Sequence, residues 1–227
     1  MKKVFLVLVL SIFASSAAYG GVDLSKHIGF SLWGGGVMSV SGSYDANNKL
    51  SDVVRMYGFP AAELKYVIID QVALGINGGY IYQPFKDDKT KELLPEEKDI
   101  TPALNMTFVS LNGTFNFGPL IKSENNMFNP FATLGAGMYS WYFAKNERTD
   151  KLLAPTGFAH EFKASSWGIN FGAGVEYFAT RKFSVFGRLN YHLVMMKDEE
   201  KFGKDFGNQG FLTFGAGVTL YLFTGKQ

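Results

Sequence analysis

The chain has 227 residues, contains no cysteine, and carries 22 basic against 20 acidic side chains. The missing cysteines exclude a disulfide framework and any cysteine-based metal site, and the near-neutral charge gives no indication of a nucleic-acid partner. The length is sufficient for one domain with a complete barrel or sandwich.

The first predicted element is a secretory signal peptide over residues 1–20. Lys2 and Lys3 form a basic start, an apolar stretch covers 4–14, and small residues lead to Gly20. The apolar stretch is short for a membrane-spanning helix, and a retained anchor helix is the alternative. We therefore expect one mature domain over residues 21–227.

Eight strand-like segments follow, in which the character of the side chains alternates with a period of two. The clearest is "SWGINFGAGVEYFA", where one face is apolar and the other is small or polar. The last segment repeats this pattern, whereas the first and fourth alternate less clearly. The predicted strands cover 27–40, 60–69, 71–82, 104–117, 130–143, 165–178, 183–196 and 210–223.

The connections between these strands alternate in length. About two residues around Asp70 and the tripeptide at 180–182 form short turns, and 118–129 is of middling length. The other four connections are long and hold 28 of the 42 charged residues. They are 41–59, 83–102, 144–163 and 197–209. Charge is therefore concentrated at one end of the predicted molecule.

Aromatic residues gather where the predicted strands end, which predicts two bands. The band beside the long loops contains Tyr80, Tyr82, Tyr142, Phe143, Trp167, Tyr191 and Phe211. The band beside the short turns contains Phe115, Phe117, Phe131, Tyr177, Phe178, Phe183, Tyr221 and Phe223. Two such bands are typical of a transmembrane β-barrel, because aromatic side chains favour both bilayer interfaces. We therefore predict an all-β fold: an eight-stranded antiparallel up-and-down transmembrane β-barrel.

The structural alternative is a soluble secreted eight-stranded barrel whose larger apolar face points inward. That arrangement would place glycine, asparagine and serine outside. It would also crowd Trp167, Phe171 and Phe214 into a narrow lumen and leave the aromatic bands unexplained.

Three segments carry a resemblance to a known family. They are "NPFATLGAGMYSWYF", "WGINFGAGVEYFATRKFSVFGRLNY" and "FGAGVTLYLF". The chain resembles the eight-stranded outer-membrane β-barrels of Gram-negative bacteria, the group with OmpA-, OmpX- and OmpW-like barrels. The resemblance implies a monomer in the cell outer membrane, in contact with lipid and lipopolysaccharide. It also implies periplasmic chaperones and the barrel-assembly machinery as partners during biogenesis.

The glycine pairs in "FGAGV" (171–175 and 214–218) and "LGAGM" (134–138) do not fit a nucleotide-binding loop. A dinucleotide fingerprint needs a third glycine three residues beyond the pair and a helix that begins there. Other residues stand at those places, namely Ser140, Tyr177 and Leu220. We therefore predict no bound cofactor.

Ionisable residues within the strands fall mainly on the predicted inner face, where charges at membrane depth find partners. We expect a lumen plugged by a polar network, because eight strands leave room only for side chains. Its predicted members are Glu63, Lys65, Asn170, Glu176, Arg188, Asn190 and His192. If the hairpin turns near residue 181, Gly174 faces Arg188 and Gly172 faces Asn190. The glycines would then leave room for long polar side chains.

The expected function is a non-enzymatic structural or surface-interaction role, such as adhesion or envelope integrity, without a metal or catalytic site. The alternatives are a narrow porin-like channel for small or apolar solutes and, third, a lipid A-modifying enzyme. "HLV" at 192–194 lacks the His-x-Ser arrangement of a lipid A deacylase, and His160 lies in a long loop. Acidic pairs such as Asp87 and Asp88 indicate solvated loop charge more than a Ca²⁺ cage.

Overall fold

Eight antiparallel strands, each bonded to the next in the chain, close into a barrel. The computed structural model describes residues 24–94, 100–120, 127–146, 151–153, 161–196 and 206–223. The strands are β1 (His27–Ser41), β2 (Tyr57–Ile69), β3 (Val72–Pro84), β4 (Ala103–Asn116), β5 (Phe128–Ala144), β6 (Lys163–Phe178), β7 (Phe183–Met195) and β8 (Asn208–Phe223). The predicted up-and-down barrel is confirmed, whereas the predicted signal peptide lies outside the described residues.

Closure takes place between β1 and β8, which pair from His27 with Phe223 to Ser41 with Gly210. A glycine run in β1 lies at the middle of this seam. A Cβ atom added at Gly35 would lie 2.1 Å from the carbonyl oxygen of Phe214. The two backbones therefore approach so closely that only glycine fits at this position.

The outer wall of the barrel is an apolar belt. Trp167, Leu111 and Leu134 are 64%, 68% and 66% exposed, and other outward aliphatic side chains are similar. The soluble alternative is wrong on this point, because the larger apolar face of the strands points outward. Exposed apolar surface of this extent marks a membrane or interaction surface. No helix among the described residues is both long and apolar enough to cross a bilayer.

The two predicted aromatic bands are only partly right. Trp167, Phe115 and Phe117 do lie exposed on the outer wall near the strand ends. Five of the other predicted members are instead buried on inward-facing positions of their strands. They are Phe131, Phe143, Phe178, Phe211 and Tyr221. These five side chains fill the barrel interior, because the lumen of an eight-stranded barrel is packed with side chains.

The long-loop end of the barrel is covered by a loop cap. Two short helices, α1 (Leu50–Val53) and α2 (Asp87–Leu93), lie in the first two long loops. The cap consists of Tyr44, Leu50, Val53, Val54, Phe85, Leu152, Phe162 and Phe206, which belong to one buried apolar cluster. The Tyr44 ring lies 5.4 Å from both Phe85 and Phe143, and burial raises the pKa of its hydroxyl above the ordinary value. These charged loops therefore also bury apolar side chains.

A smaller cluster fills the short-turn end. Its members are Leu24, Val67, Ala73, Phe178 and Tyr221. The segment before β1 is held there by Asp70, whose Oδ1 accepts hydrogen bonds from the backbone N–H groups of Leu24 (3.0 Å) and Ser25 (2.9 Å). This turn-end cluster closes the end of the barrel opposite the loop cap.

Candidate functional site in the barrel interior

The first of two ion pairs in the lumen joins β7 to β2. Arg188 Nη1 lies 2.9 Å from Glu63 Oε2, and both side chains are almost fully buried. The same guanidinium donates from Nη2 to Thr133 Oγ1 (3.2 Å) and from Nε to Asn190 Oδ1 (2.9 Å). Its carbon atom lies 5.0 Å from the centre of the Trp33 ring, within range of a cation–π contact. Four neighbours therefore fix one buried cation.

The second ion pair lies nearer the short turns. Lys65 Nζ is 3.5 Å from Glu176 Oε2 and lies over the Tyr221 ring at 5.0 Å. Glu176 Oε1 accepts hydrogen bonds from the Tyr221 hydroxyl at 2.8 Å and from the Ser184 hydroxyl. Both oxygens of this buried carboxylate are thus engaged, as burial of a charge requires.

The two pairs balance in charge and leave almost no free space. Glu63 and Lys65 are two residues apart on β2, so their side chains share the inner face and bring the pairs side by side. The cavity that remains between the pairs has a volume of about 10 Å³. This is about the space that one water molecule needs. The turn-end half of the lumen is therefore plugged by polar side chains.

The loop-end half of the lumen is mainly aromatic. His192 lies between the Tyr139 hydroxyl, 3.0 Å from Nδ1, and the Thr213 hydroxyl, 3.2 Å from Nε2. The Phe108 ring packs against the imidazole at 5.1 Å. Beyond it the interior is filled by Trp141, Phe143, Phe162 and Phe211, none of which is more than 2% exposed. The prediction of a polar interior therefore holds for only one half of the barrel.

The seven predicted network residues all face the lumen, and six of them are buried, with Lys65 slightly less so. Five belong to the two ion-pair groups. Asn170 and His192 face each other across β6 and β7, and no hydrogen bond among the described residues joins either side chain to the ion pairs. The predicted network lacks three residues that contact the ion pairs, namely Trp33, Thr133 and Ser184. The alternation in β7 does place Ser184 inward, but nothing in the sequence indicates the Trp33 contact.

The predicted pairing of β6 with β7 is confirmed: Gly172 is opposite Asn190 and Gly174 is opposite Arg188. The space beside Gly172 is taken by Asn190, whose Oδ1 lies 1.8 Å from the position of an added Cβ. The atoms nearest to a Cβ added at Gly174 are the Gly187 carbonyl oxygen at 2.3 Å and the Phe131 ring at 2.5 Å, and no Arg188 atom is as near. Gly172 therefore leaves room for a polar side chain, as predicted, whereas Gly174 leaves room for an aromatic ring and a backbone carbonyl group.

A gap in strand pairing interrupts the wall between β2 and β3. Their paired residues end at Ala61 and Gly79, although β2 stays paired with β1 up to Tyr57 and β3 with β4 up to Pro84. The chains meet again where the Arg55 N–H donates to the Pro84 carbonyl oxygen at 2.9 Å. We call residues 57–60 and 80–83 the wall gap. Pro60 lies within it and has no N–H to donate.

Three inward side chains close the wall gap from the lumen side. They are Phe59, Ile81 and Gln83, and each is 3% exposed or less. Gln83 replaces part of the missing ladder: its Nε2 lies 3.4 Å from the carbonyl oxygens of Val37 and Arg55. Its Oε1 accepts a hydrogen bond from Ser39 Oγ at 2.9 Å. The gap is therefore a blind recess and not a hole.

The described residues contain no group of three or more histidine, cysteine, aspartate or glutamate side chains that could hold a metal ion. His160, the loop histidine considered for catalysis, lies outside the described residues. His192 is enclosed by protein on every side, with none of its surface exposed. It cannot meet a substrate without a rearrangement of the barrel.

No family model and no curated protein matches the chain, but solved structures do. Neisserial surface protein A has a TM-score of 0.53 at 10% identity, over 86% of this chain and 96% of that chain. OprG from Pseudomonas aeruginosa has a TM-score of 0.50 at 13% identity, over 88% and 98%. The chain thus has the fold of the eight-stranded outer-membrane β-barrels, as the resemblance implied. The Escherichia coli outer membrane protease OmpT also matches, over 88% and 95% at 10% identity with a TM-score of 0.35.

Proposed function

We propose that this protein is a small integral outer-membrane protein with a structural or surface-interaction role and a lumen that does not conduct. The observation that carries the proposal is the filling of the interior. Four groups of side chains follow one another along the barrel axis. They are the loop cap, the aromatic loop-end half of the lumen, the two ion pairs and the turn-end cluster. The exposed apolar belt supports the membrane location, because such a surface is stable only when lipid covers it.

The proposed partners follow from the same surfaces. Lipid and lipopolysaccharide would cover the apolar belt, and the periplasmic chaperones and barrel-assembly machinery would handle the chain before insertion. The loop end presents mixed charge to the outside. In α2, for example, Asp87, Lys89 and Glu92 stand within two helical turns. A folded, charged loop end of this kind suits contact with another surface better than passage of a solute.

The direct test combines cell fractionation with electrical recording. We expect the protein in the outer-membrane fraction, with a gel mobility that changes on boiling, and no steady conductance in planar bilayers. Two control variants each remove one barrier: Phe162→Ala with Phe206→Ala opens the loop cap, and Glu63→Ala with Arg188→Ala opens the polar half of the lumen. Because the other barrier remains in each variant, neither variant is expected to conduct. A large steady conductance of the wild-type protein would contradict the proposal.

The surface role has its own test, which replaces the long connections 85–102 and 145–162 with short turns. If the role is surface interaction, adhesion or envelope integrity is lost while the heat-modifiable barrel remains. Unchanged surface phenotypes with an intact barrel would remove the basis for this role.

The second candidate function is a narrow route for apolar solutes, and the wall gap is the observation that favours it. Because Phe59, Ile81 and Gln83 close the gap, passage requires these side chains to move or shrink. Ile81→Ala should therefore increase uptake of a small apolar solute into vesicles if the route exists. The route would be excluded if vesicles with the wild-type protein and vesicles with Ile81→Ala both took up no more solute than protein-free vesicles.

A further inference from the structure

The wall gap opens outwards into a groove of about 650 Å³. Tyr57, Tyr80 and Tyr82 stand around it, and the backbone around Gly58 and Pro60 forms its floor. Its volume lies within the range of roughly 300–1,000 Å³ that is usual for small-molecule sites. None of the described residues that line it is charged. We call it the tyrosine groove.

The lining of the tyrosine groove combines aromatic rings with polar backbone groups. The Tyr57 and Tyr82 rings meet edge to face at 5.1 Å, and the Tyr80 hydroxyl donates a hydrogen bond to the buried Asn105. In the described wall, the edge of residues 57–60 that faces β3 has no ladder partner. Backbone groups of this kind need hydrogen bonds from another source. The groove therefore offers a ligand both stacking surfaces and hydrogen-bonding positions.

The tyrosine groove lies at the loop-side margin of the apolar belt. Tyr80 is paired with Thr107, which is paired with Ser140 on β5, and the last two are exposed on the outer wall. Two residues nearer the short turns, the outward positions of the same strands are Val109 and Met138. The outer wall thus changes from apolar to polar beside the groove, as it does where the hydrocarbon of a bilayer meets its headgroups. We therefore expect the groove to lie at the depth of the headgroups.

Two classes of occupant do not fit these groups. An acyl chain would leave the polar backbone edge of 57–60 without hydrogen bonds. An extended peptide cannot run through the gap, because the Ala61–Gly79 pair closes one end. The hydrogen bond from the Arg55 N–H to the Pro84 carbonyl oxygen closes the other end. A sugar ring does fit, since its C–H faces stack on aromatic rings while its hydroxyls donate and accept hydrogen bonds.

We propose that the tyrosine groove binds an uncharged sugar ring in the headgroup of a membrane glycolipid. The inference rests on the proposed outer-membrane location and names one ligand for the surface-interaction role. The sugar stacks on a tyrosine ring, and its hydroxyls bond to the unpaired edge of 57–60. The uncharged lining selects a neutral sugar, because a charged one would find no counter-charge in the groove. The depth of the groove favours a sugar carried by a lipid over a free one.

The test uses the full protein in phosphatidylcholine nanodiscs, with or without a small fraction of monoglucosyl diacylglycerol. Hydrogen exchange followed by mass spectrometry reports on the backbone amides of 57–59 and, as an internal control, on those of 61–67. We expect the glucosyl lipid to slow exchange at 57–59 several-fold and to leave 61–67 unchanged. Diacylglycerol without the sugar should change neither segment. Methyl glucoside added in solution at the same overall concentration should change neither segment as well.

Matched variants assign the protection to the groove. Gly58→Leu fills it without a clash, because an added Cβ atom meets only the Gly35 carbonyl oxygen, at 3.6 Å. Gly113→Leu makes the same change at another outward glycine, where an added Cβ atom lies 3.8 Å from the nearest atom. We expect the glucosyl lipid to lose its effect in Gly58→Leu and to keep it in Gly113→Leu.

A second pair of variants tests the tyrosine rings. Tyr82→Leu removes a ring from the groove and should weaken the effect of the glucosyl lipid several-fold. Tyr66→Leu makes the same change at an exposed tyrosine of β2 nearer the short turns and should leave the effect unchanged. Boiling-dependent gel mobility confirms that each variant is folded.

Four results would overturn the inference. Unchanged exchange at 57–59 with the glucosyl lipid would show that the groove takes no sugar, and full protection in Gly58→Leu would place the sugar elsewhere on the protein. An equal effect of plain diacylglycerol would assign the groove to lipid in general. An equal effect of free methyl glucoside would contradict a sugar carried by a lipid. Failure of the proposed membrane location looks different, because the wild-type protein would then enter no nanodisc, whatever its lipid.

Discussion

Arg188 is the residue on which the polar contacts of the interior converge. It binds Glu63, Thr133 and Asn190 and packs over Trp33, so three strands besides its own meet at one guanidinium. A lysine would offer a point charge and could not divide its donors in this planar way. Arg188 therefore connects strands across the lumen, and its removal leaves the buried Glu63 carboxylate without this counter-ion.

The first prediction concerns this ion pair. Arg188→Met should lower the free energy of unfolding by about 3–5 kcal/mol, because Glu63 is left charged and unpaired in a buried site. Urea titrations in lipid vesicles, followed by tryptophan fluorescence, measure the change. The double variant with Glu63→Gln should recover much of the loss. A double variant as unstable as the single one would show that the guanidinium acts by its volume and not by its charge.

The second prediction compares two neighbouring residues on opposite faces of β6. Gly174→Leu should prevent or strongly slow insertion into lipid vesicles, because its Cβ would lie 2.3 Å from the Gly187 carbonyl oxygen. Ala173→Leu adds a similar volume on the exposed face and should insert like the wild-type protein. The boiling-dependent shift in gel mobility reports insertion for both. Equal insertion of the two variants would contradict the assignment of faces.

At the scale of elements, β2 and β3 differ from the other neighbouring strands. Below Ala61 and Gly79 they form an ordinary hairpin, and above this point a single side chain, Gln83, bonds across to β1 and to the chain before β2. A side-chain amide can replace some backbone hydrogen bonds but not the regular spacing of a ladder. The loop end of this hairpin is thus the least regularly bonded part of the described wall.

The third prediction is a gradient of amide exchange along β2. The amides of 57–60 that point towards β3 should exchange faster than those of 61–67, because no ladder partner protects them. Gln83→Leu should widen this difference, and Gln71→Leu, a change in the turn between β2 and β3, should not. Hydrogen exchange followed by mass spectrometry on the protein in nanodiscs provides the comparison. Uniform protection along β2 would contradict the gap.

The sequence predicted these elements well and their interior less well. The alternation in "SWGINFGAGVEYFA" identifies one polar and one apolar face, and the structure follows it. In β4 and β5 the inward residues near the loops are Met106, Phe108, Tyr139 and Trp141, so the inner face is strongly apolar there, and the outer face carries Asn105, Thr107 and Ser140. A period of two shows which residues share a face but not which face is inside. The pairing of Glu63 with Arg188 depends on barrel closure, which no local pattern contains.

At the scale of the whole molecule, the barrel has two interiors of different chemistry. The polar half depends on directional pairs, whereas the aromatic half and the loop cap depend on packing, for example the Phe143 and Phe162 rings stacked at 4.5 Å. Because the ion pairs involve no residue of the loop cap, we expect the cap and the barrel to respond separately to mutation.

The fourth prediction tests this separation. Phe162→Ala should make the long loops sensitive to protease, because loss of a buried phenylalanine costs about 3–5 kcal/mol of packing. The strands should stay protected in the membrane, so a large barrel fragment should survive. Phe171→Ala removes the same ring from the exposed outer wall and serves as the control. Digestion of the barrel itself in Phe162→Ala would show that the cap and barrel are one cooperative unit.

The seam between β1 and β8 has a consequence for the order of events during folding. It joins residues 27–41 to residues 210–223, so its formation closes a loop of nearly the whole chain, whereas every other strand pair is local. Loop closure costs entropy that grows with the logarithm of length, and contacts between distant residues slow folding. The seam should therefore be the last ladder to form. Until it does, the edges of β1 and β8 expose unpaired backbone, and closure depends on the glycines that let the two strands approach.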